Sequence, residues 1–180
     1  MNKKYLGLVL ALGISIAQAA TVTIPLNLTD PAPNQNPAVG TVTATDTPYG
    51  LMLTPHLSGL VPYLAPGPHG FHVHVNPSCA DHGMAAGGHL DPAHTGHHLG
   101  PYNSAGHLGD LPVISIDTKG DATVPVVAPR LKVSDILGHS LMIHQGSDNY
   151  SDTPAPLGGG GMRMVCGVIP KSYSTASKSQ

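Results

Sequence analysis

Glutamate is missing from this chain: all ten acidic residues are aspartate, set against eight lysines and arginines in 180 residues. The basic residues form no cluster and no long run, which argues against a nucleic-acid partner. Cysteine is scarce. The two present, Cys79 and Cys166, have no partner at zinc-finger spacing, so thiolate ligation of a metal is disfavoured. Nowhere do carboxylates gather into the oxygen-rich set that calcium or magnesium needs. Internal repeats are absent, and beyond the first residues no apolar run is long enough to cross a membrane as a helix.

The N-terminus reads as an address. Asn2-Lys3-Lys4 is basic, Tyr5 to Ile16 is apolar, and Ala17-Gln18-Ala19 is a small-residue cleavage site. The apolar run is too short for a spanning helix, so residues 1–19 are expected to be a cleaved secretory signal, with a mature chain beginning at Ala20. Loss of Lys3 and Lys4 leaves six basic residues against ten acids, a mildly acidic protein. Residues 20–170 suffice for one domain with its own core, and the Ser- and Lys-containing tail 171–180 is expected to be flexible. In an exported chain two cysteines point to one disulfide, Cys79–Cys166. Closing so long a loop is worth about 4 kcal/mol in the chain-entropy treatment.

Short strand-like segments dominate. Residues 21–28 alternate through Val22, Ile24, Leu26 and Leu28, and further candidates cover 39–44, 50–54, 70–76, 111–117, 122–127, 140–144 and 163–169. The turn Asp117-Thr118-Lys119-Gly120 predicts a hairpin between its flanking strands, and 132–137 can supply one helical turn. Eight short strands with Gly- and Pro-rich connections predict an all-β antiparallel sandwich or barrel. Two connections, 77–109 and 145–161, are too long to be idle.

Histidine is plentiful, with twelve in the chain. In Gly70-Phe71-His72-Val73-His74-Val75 a strand period of two sends both imidazoles to one face and Phe71, Val73 and Val75 to the other. His89, His98 and His107 follow at nine-residue intervals, then Asp110, and later His144 at the end of another apolar strand. Any one of these alone has the ordinary explanation of a surface or core-satisfied histidine; their joint occurrence points to metal. Imidazole suits copper and zinc. Three His and one Asp make a closed tetrahedral set for structural zinc, and four His suit a redox copper with an open position. The seven side chains make both sets only if one histidine is shared.

The runs Gly70-Phe71-His72-Val73-His74, Gly87-Gly88-His89-Leu90-Asp91-Pro92, His98-Leu99-Gly100-Pro101, Gly106-His107-Leu108-Gly109-Asp110-Leu111-Pro112 and Gly158 to Ile169 resemble copper–zinc superoxide dismutase in its bacterial exported branch. The likeness spans nearly the whole mature chain, in order. It implies a Greek-key, immunoglobulin-like β-sandwich or flattened eight-stranded barrel with two long functional loops. It implies copper on His72, His74, His89 and His144, and zinc on His89, His98, His107 and Asp110, with His89 bridging the two. The implied reaction is disproportionation of superoxide to dioxygen and hydrogen peroxide, with His89 released from copper and protonated in one half-reaction. Asp148 matches the carboxylate that orients a ligand of each metal, and Arg163 matches the arginine above copper. His97 adjoins His98, but only His98 fits the His-x-Gly-Pro pattern.

One departure from that pattern stands out: residues 145–161 contain no lysine, although the family uses lysines near this region to draw the anion in. Arg130 or Lys132 are candidates to compensate. The remaining histidines, His56, His69, His82, His94, His97 and His139, are expected at the surface or in turns. The implied location is the periplasm, with superoxide as the small-molecule partner, no membrane association after signal cleavage, and a homodimer possible. Two rival readings are a metal-storage protein, which has no use for Arg163 or a shared ligand, and a non-catalytic sandwich, which is expected to have lost ligands.

Overall fold

The computed structural model describes residues 19–29 and 37–173; the expected leader through residue 18 and the tail from 174 onward lie outside them. Among the described residues nine strands form: β1 (Thr21–Leu28), β2 (Ala38–Thr47), β3 (Gly50–Leu57), β4 (Gly67–His69), β5 (Phe71–His74), β6 (Ile114–Ile116), β7 (Val126–Ala128), β8 (Ser140–His144) and β9 (Arg163–Val168). One helical turn, α1 (Val133–Ile136), sits where 132–137 predicted it, and the Val133 amide donates to Asp46 Oδ1 at 2.7 Å. Among the described residues no helix is long and apolar enough to cross a membrane.

Seven strands make one antiparallel sheet in the order β5-β8-β9-β1-β2-β3-β7, and β4 pairs with β6. Side chains from β1 (Ile24, Leu26), β2 (Val42), β3 (Leu53), β5 (Phe71, Val73), β6 (Ile114), β8 (Leu141, Ile143) and β9 (Val165) meet in one buried cluster. Strands from both ends of the sheet therefore share one core, and the sheet is rolled around it. The alternation read in β1 is the cause: Val22, Ile24, Leu26 and Leu28 are all buried, each worth about 1.5–3 kcal/mol.

Two expectations change. The predicted strand 70–76 is shortened to β5, and an unpredicted strand, β4, precedes it across Gly70 with a different partner. The turn at Asp117 forms, with the Gly120 amide donating to the Asp117 carbonyl at 3.0 Å, but no hairpin follows from it. Past the turn, Ala122 exchanges both backbone hydrogen bonds with Leu57, so the chain joins the β3 edge and continues into β7, while β6 pairs with β4. The open edge of β3 captures the outgoing arm.

On the outer face, residues at every second position line up across β5, β8 and β9: His72 opposite Met142, and Met142 opposite Cys166. This face carries His72, His74 and His144. It is buried rather than exposed because the two long connections fold over it.

Candidate metal centre

β5 is an edge strand of the main sheet, and the segment after it is strapped to that edge. Val73 N donates to Gly109 O at 2.9 Å, Leu90 N donates to Val73 O at 2.8 Å, and Gly109 N donates to Leu90 O at 2.8 Å. Bridges His72–Asp110 and His74–His89 result, which set two loop residues beside two strand residues. Gly109 is required here, since a Cβ would stand 2.3 Å from Val73 O. His144 arrives from β8, where Phe71 pairs with Ile143.

All seven expected ligands are thus brought together, and all are buried. Ligand atoms of His72, His74, His89 and His144 lie within 4.8 Å of one another, as do those of His72, His89, His98 and Asp110. Nδ1 of His89, His98 and His107 stand 2.9, 3.1 and 3.3 Å from the single oxygen Asp110 Oδ1. On the other side His74 Nε2 and His144 Nε2 are 3.4 Å apart. A tetrahedral ion with bonds near 2.0–2.1 Å separates its ligands by roughly 3.3 Å, so both spacings fit a small cation.

Hydrogen bonding assigns one nitrogen of most rings and leaves the other for a metal. His74 Nδ1 donates to Gly87 O at 2.9 Å, and His144 Nδ1 donates to Gly161 O at 3.2 Å, leaving both Nε2 atoms as lone-pair donors. His72 Nε2 and His98 Nε2 donate to the two oxygens of Asp148 at 2.9 and 2.8 Å. Their Nδ1 atoms, and that of His107, are buried without a well-aligned hydrogen bond, those of His98 and His107 standing beside Asp110 Oδ1. Orphaned buried nitrogens are costly unless an ion takes them. His72 has one such nitrogen and so can serve one ion, although it stacks on His89 at a centroid distance of 4.0 Å and falls within both groupings.

The electrostatics separate the two sides. Burial holds His74 at about 2 and His144 at about 4, with nearby His89 lowering both further. His72 lies well below the ordinary imidazole value for the same leading reason, and burial also lowers His89 against the pull of Asp110. His98 goes the other way, to about 9: burial opposes this, but Asp110 and Asp148 outweigh it. Both carboxylates resist their own burial and stay well below the usual carboxylate range, Asp110 because of His89 and His98, Asp148 because of His72 and His98. The strand side therefore offers neutral imidazoles, and the loop side a stable anion.

Arg163 lies at the edge of a cavity of about 300 Å³ whose wall includes His89, His144, Gly160 and Gly161. Its guanidinium donates to Gly83 O at 2.6 Å and Gly87 O at 2.7 Å, and Gly87 O also holds His74. The disulfide Cys79–Cys166 fastens the same segment to β9, with a Cα–Cα distance of 5.8 Å.

Several roles were not legible in the sequence. Arg130, a candidate for steering, is spent on the loop carbonyls of Gly100, Pro101, Gly106 and His107, and neither it nor Lys132 lines the cavity. His69, expected at the surface or in a turn, is only 3% exposed, with its ring nitrogens facing the carbonyls of His144 and Ala65 at 2.9 and 2.7 Å. Its buried partner lies 75 residues away, so no local pattern signals it. Asp152 Oδ2 accepts from the His98 amide at 2.9 Å and joins the two long loops. His56, His82, His94 and His97 are exposed as expected, and His139 is half-buried.

The sequence profile described as copper/zinc superoxide dismutase matches residues 38–169. The chain belongs to that family. A Salmonella typhimurium relative named Superoxide dismutase [Cu-Zn] 1 is 51% identical over 95% of this chain and 100% of its own length. The solved Cu/Zn superoxide dismutase from Brucella abortus superposes with a TM-score of 0.74 at 46% identity, covering 83% of this chain and 99% of that one. A solution structure titled as the monomeric copper, zinc enzyme from Salmonella enterica gives 0.69 at 49% identity, covering 83% and 99% respectively.

Proposed function

We propose that this chain is an exported, periplasmic superoxide dismutase that converts two superoxide anions and two protons to dioxygen and hydrogen peroxide. The observation that carries this reading is the division of the buried imidazoles: one nitrogen fixed by protein and the other left open, with His72 and His89 common to both groups. His72, His74, His89 and His144 would hold copper, and His89, His98, His107 and Asp110 would hold zinc. The single available nitrogen of His72 goes to copper because the zinc set is complete without it. Copper, when bound, supplies one-electron chemistry between its two oxidation states.

The remaining work falls to the protein. Arg163, the one permanently charged side chain in the cavity wall, attracts and orients a small anion beside His144. His89 has Nδ1 committed on the Asp110 side, so Nε2 is the atom that can hold a proton and pass it to the product. Asp148 holds His72 and His98 in one tautomer and one orientation. Export rests on the basic-apolar-small order of residues 1–19, with a domain over 20–170, and is supported by the disulfide and by bacterial relatives.

The deciving test is metal content of the mature protein together with superoxide disproportionation before and after copper removal. Activity is expected to vanish with copper and return on reloading; activity indifferent to copper overturns the reading. In parallel, His144→Ala is expected to keep zinc while losing copper affinity and turnover. Full turnover by the copper-loaded variant removes His144 from the ligand set.

A further inference from the structure

Beside the cavity that opens on His89 and His144 lies a second one, of about 280 Å³, lined by Thr29, His82, Met84, Met162, Arg163 and Met164. Three of the chain's six methionines are gathered on it. Met84 and Met162 also line the first cavity, so their side chains form the partition between the two. They are 60% and 59% exposed, so both side chains can meet an ion arriving from solvent. Met84 belongs to the short 3-10 turn Met84–Ala86, held from beneath by Arg163 through the carbonyls of Gly83 and Met84. Met162 and Met164 flank Arg163 at the start of β9.

Thioether sulfur is a neutral, soft donor that selects copper(I) over zinc(II) and copper(II), which take imidazole and carboxylate. The charge nearby sharpens that choice. Arg163 lines the same cavity, and a monovalent ion meets half the repulsion from it that a divalent ion does. Three sulfur donors beside a fixed cation therefore favour copper(I) over zinc(II), although His82 adds an imidazole to the same wall.

We propose that Met84, Met162 and Met164 form a copper(I) entry site, which captures the reduced ion at the surface and hands it across the shared wall to His74 and His144. The inference rests on the assignment of copper to those histidines. Transfer is a ligand exchange: each sulfur–copper bond is replaced by a nitrogen–copper bond, with no change of oxidation state. His74 and His144 each hold Nδ1 on a backbone carbonyl, which leaves Nε2 as the atom to accept the ion.

The test uses the zinc-loaded, copper-free mature protein with methionine methyl groups labelled for NMR. Silver(I), a redox-silent stand-in for copper(I), is titrated into the His144→Ala variant, in which the copper set is incomplete. Shifts of the Met84, Met162 and Met164 methyl signals, with no shift of Met52, are expected at the first equivalent. Absence of those shifts overturns the proposal. The near-isosteric triple variant M84L/M162L/M164L, built on the otherwise unaltered chain, is expected to fold normally and to load more slowly from a copper(I) donor. Its loading from copper(II) is expected to be unchanged, and its final copper content equal. Equal loading rates from copper(I) also overturn the proposal. Because the methyl shifts need no catalysis, an inactive protein that still shows them indicts the enzymatic reading and leaves the entry site standing.

Discussion

An imidazole can serve two ions only when neither nitrogen is needed to bond protein, and that is what separates His89 from His72, His74, His98 and His144. His72, His74, His98 and His144 each give one nitrogen to an aspartate or a carbonyl. His89 gives Nδ1 only to Asp110, itself a proposed ligand. Such positioning depends on close packing around Asp148. Gly158 has φ of +72°, and a Cβ there would lie 1.9 Å from Asp148 Oδ1 and 2.8 Å from His98 Nε2. Gly158→Ala is therefore expected to push the carboxylate off both histidines and weaken zinc binding by about 10–100-fold, read by chelator competition. Unchanged zinc affinity would mean that Asp148 does not orient His98. Arg163 acts on charge and on geometry together. Arg163→Ala is expected to retain both metals yet slow turnover and flatten its dependence on ionic strength. A salt profile like that of the unaltered protein removes Arg163 from substrate guidance.

Among the elements, the strands were easier to read than their partners. β1 and β8 have the predicted bounds, because alternation is a local property written at every second residue. The hairpin at Asp117 did not form because pairing is a competition between edges, and Leu57 offered Ala122 a better one. The loop 77–109 was recognisable as functional by its length and histidines. Its order comes from attachments no local pattern reveals: the β5 edge, Arg130 and Asp152. The disulfide is the longest-range of these ties, spanning a separation of 87 residues. Replacing Cys79 and Cys166 together by serine is expected to cost about 4 kcal/mol in denaturant unfolding. It should also loosen the segment that carries Gly83 and Gly87, the acceptors of Arg163. A loss confined to stability, with the hydrogen exchange of that segment unchanged, contradicts the second part.

For the molecule as a whole, the opposing shifts of its histidines set the pH response. His144 moves from 6.5 to about 4 on folding, so between those values the unfolded chain holds more protons and stability falls as pH drops from 6.5 toward 4. His98 moves from 6.5 to about 9; its contribution is complete below 6.5 and is lost as pH rises through 9. The metal-free protein is thus expected to be most stable near pH 6.5, with denaturation midpoints declining on both sides. With zinc in place the ion takes over the role of the His98 proton, so the alkaline decline should disappear while the acid decline becomes metal release. Equal alkaline profiles with and without zinc contradict the assignment of His98.

What the sequence determined alone was chemistry and local geometry: the number and kind of candidate ligands, a strand that turns His72 and His74 to one side, the class of fold and the family likeness. Side-chain period and donor type are properties of neighbouring residues, and they survive without a tertiary structure. Only the folded chain decided which nitrogen of each ring stays open, that Arg130 secures a loop instead of steering an anion, and that His69 is buried under His144. It also decided that three methionines meet beside the candidate metal centre. Those outcomes depend on hydrogen-bond acceptors and neighbours brought from many residues away, and distance along the chain carries no record of distance in space.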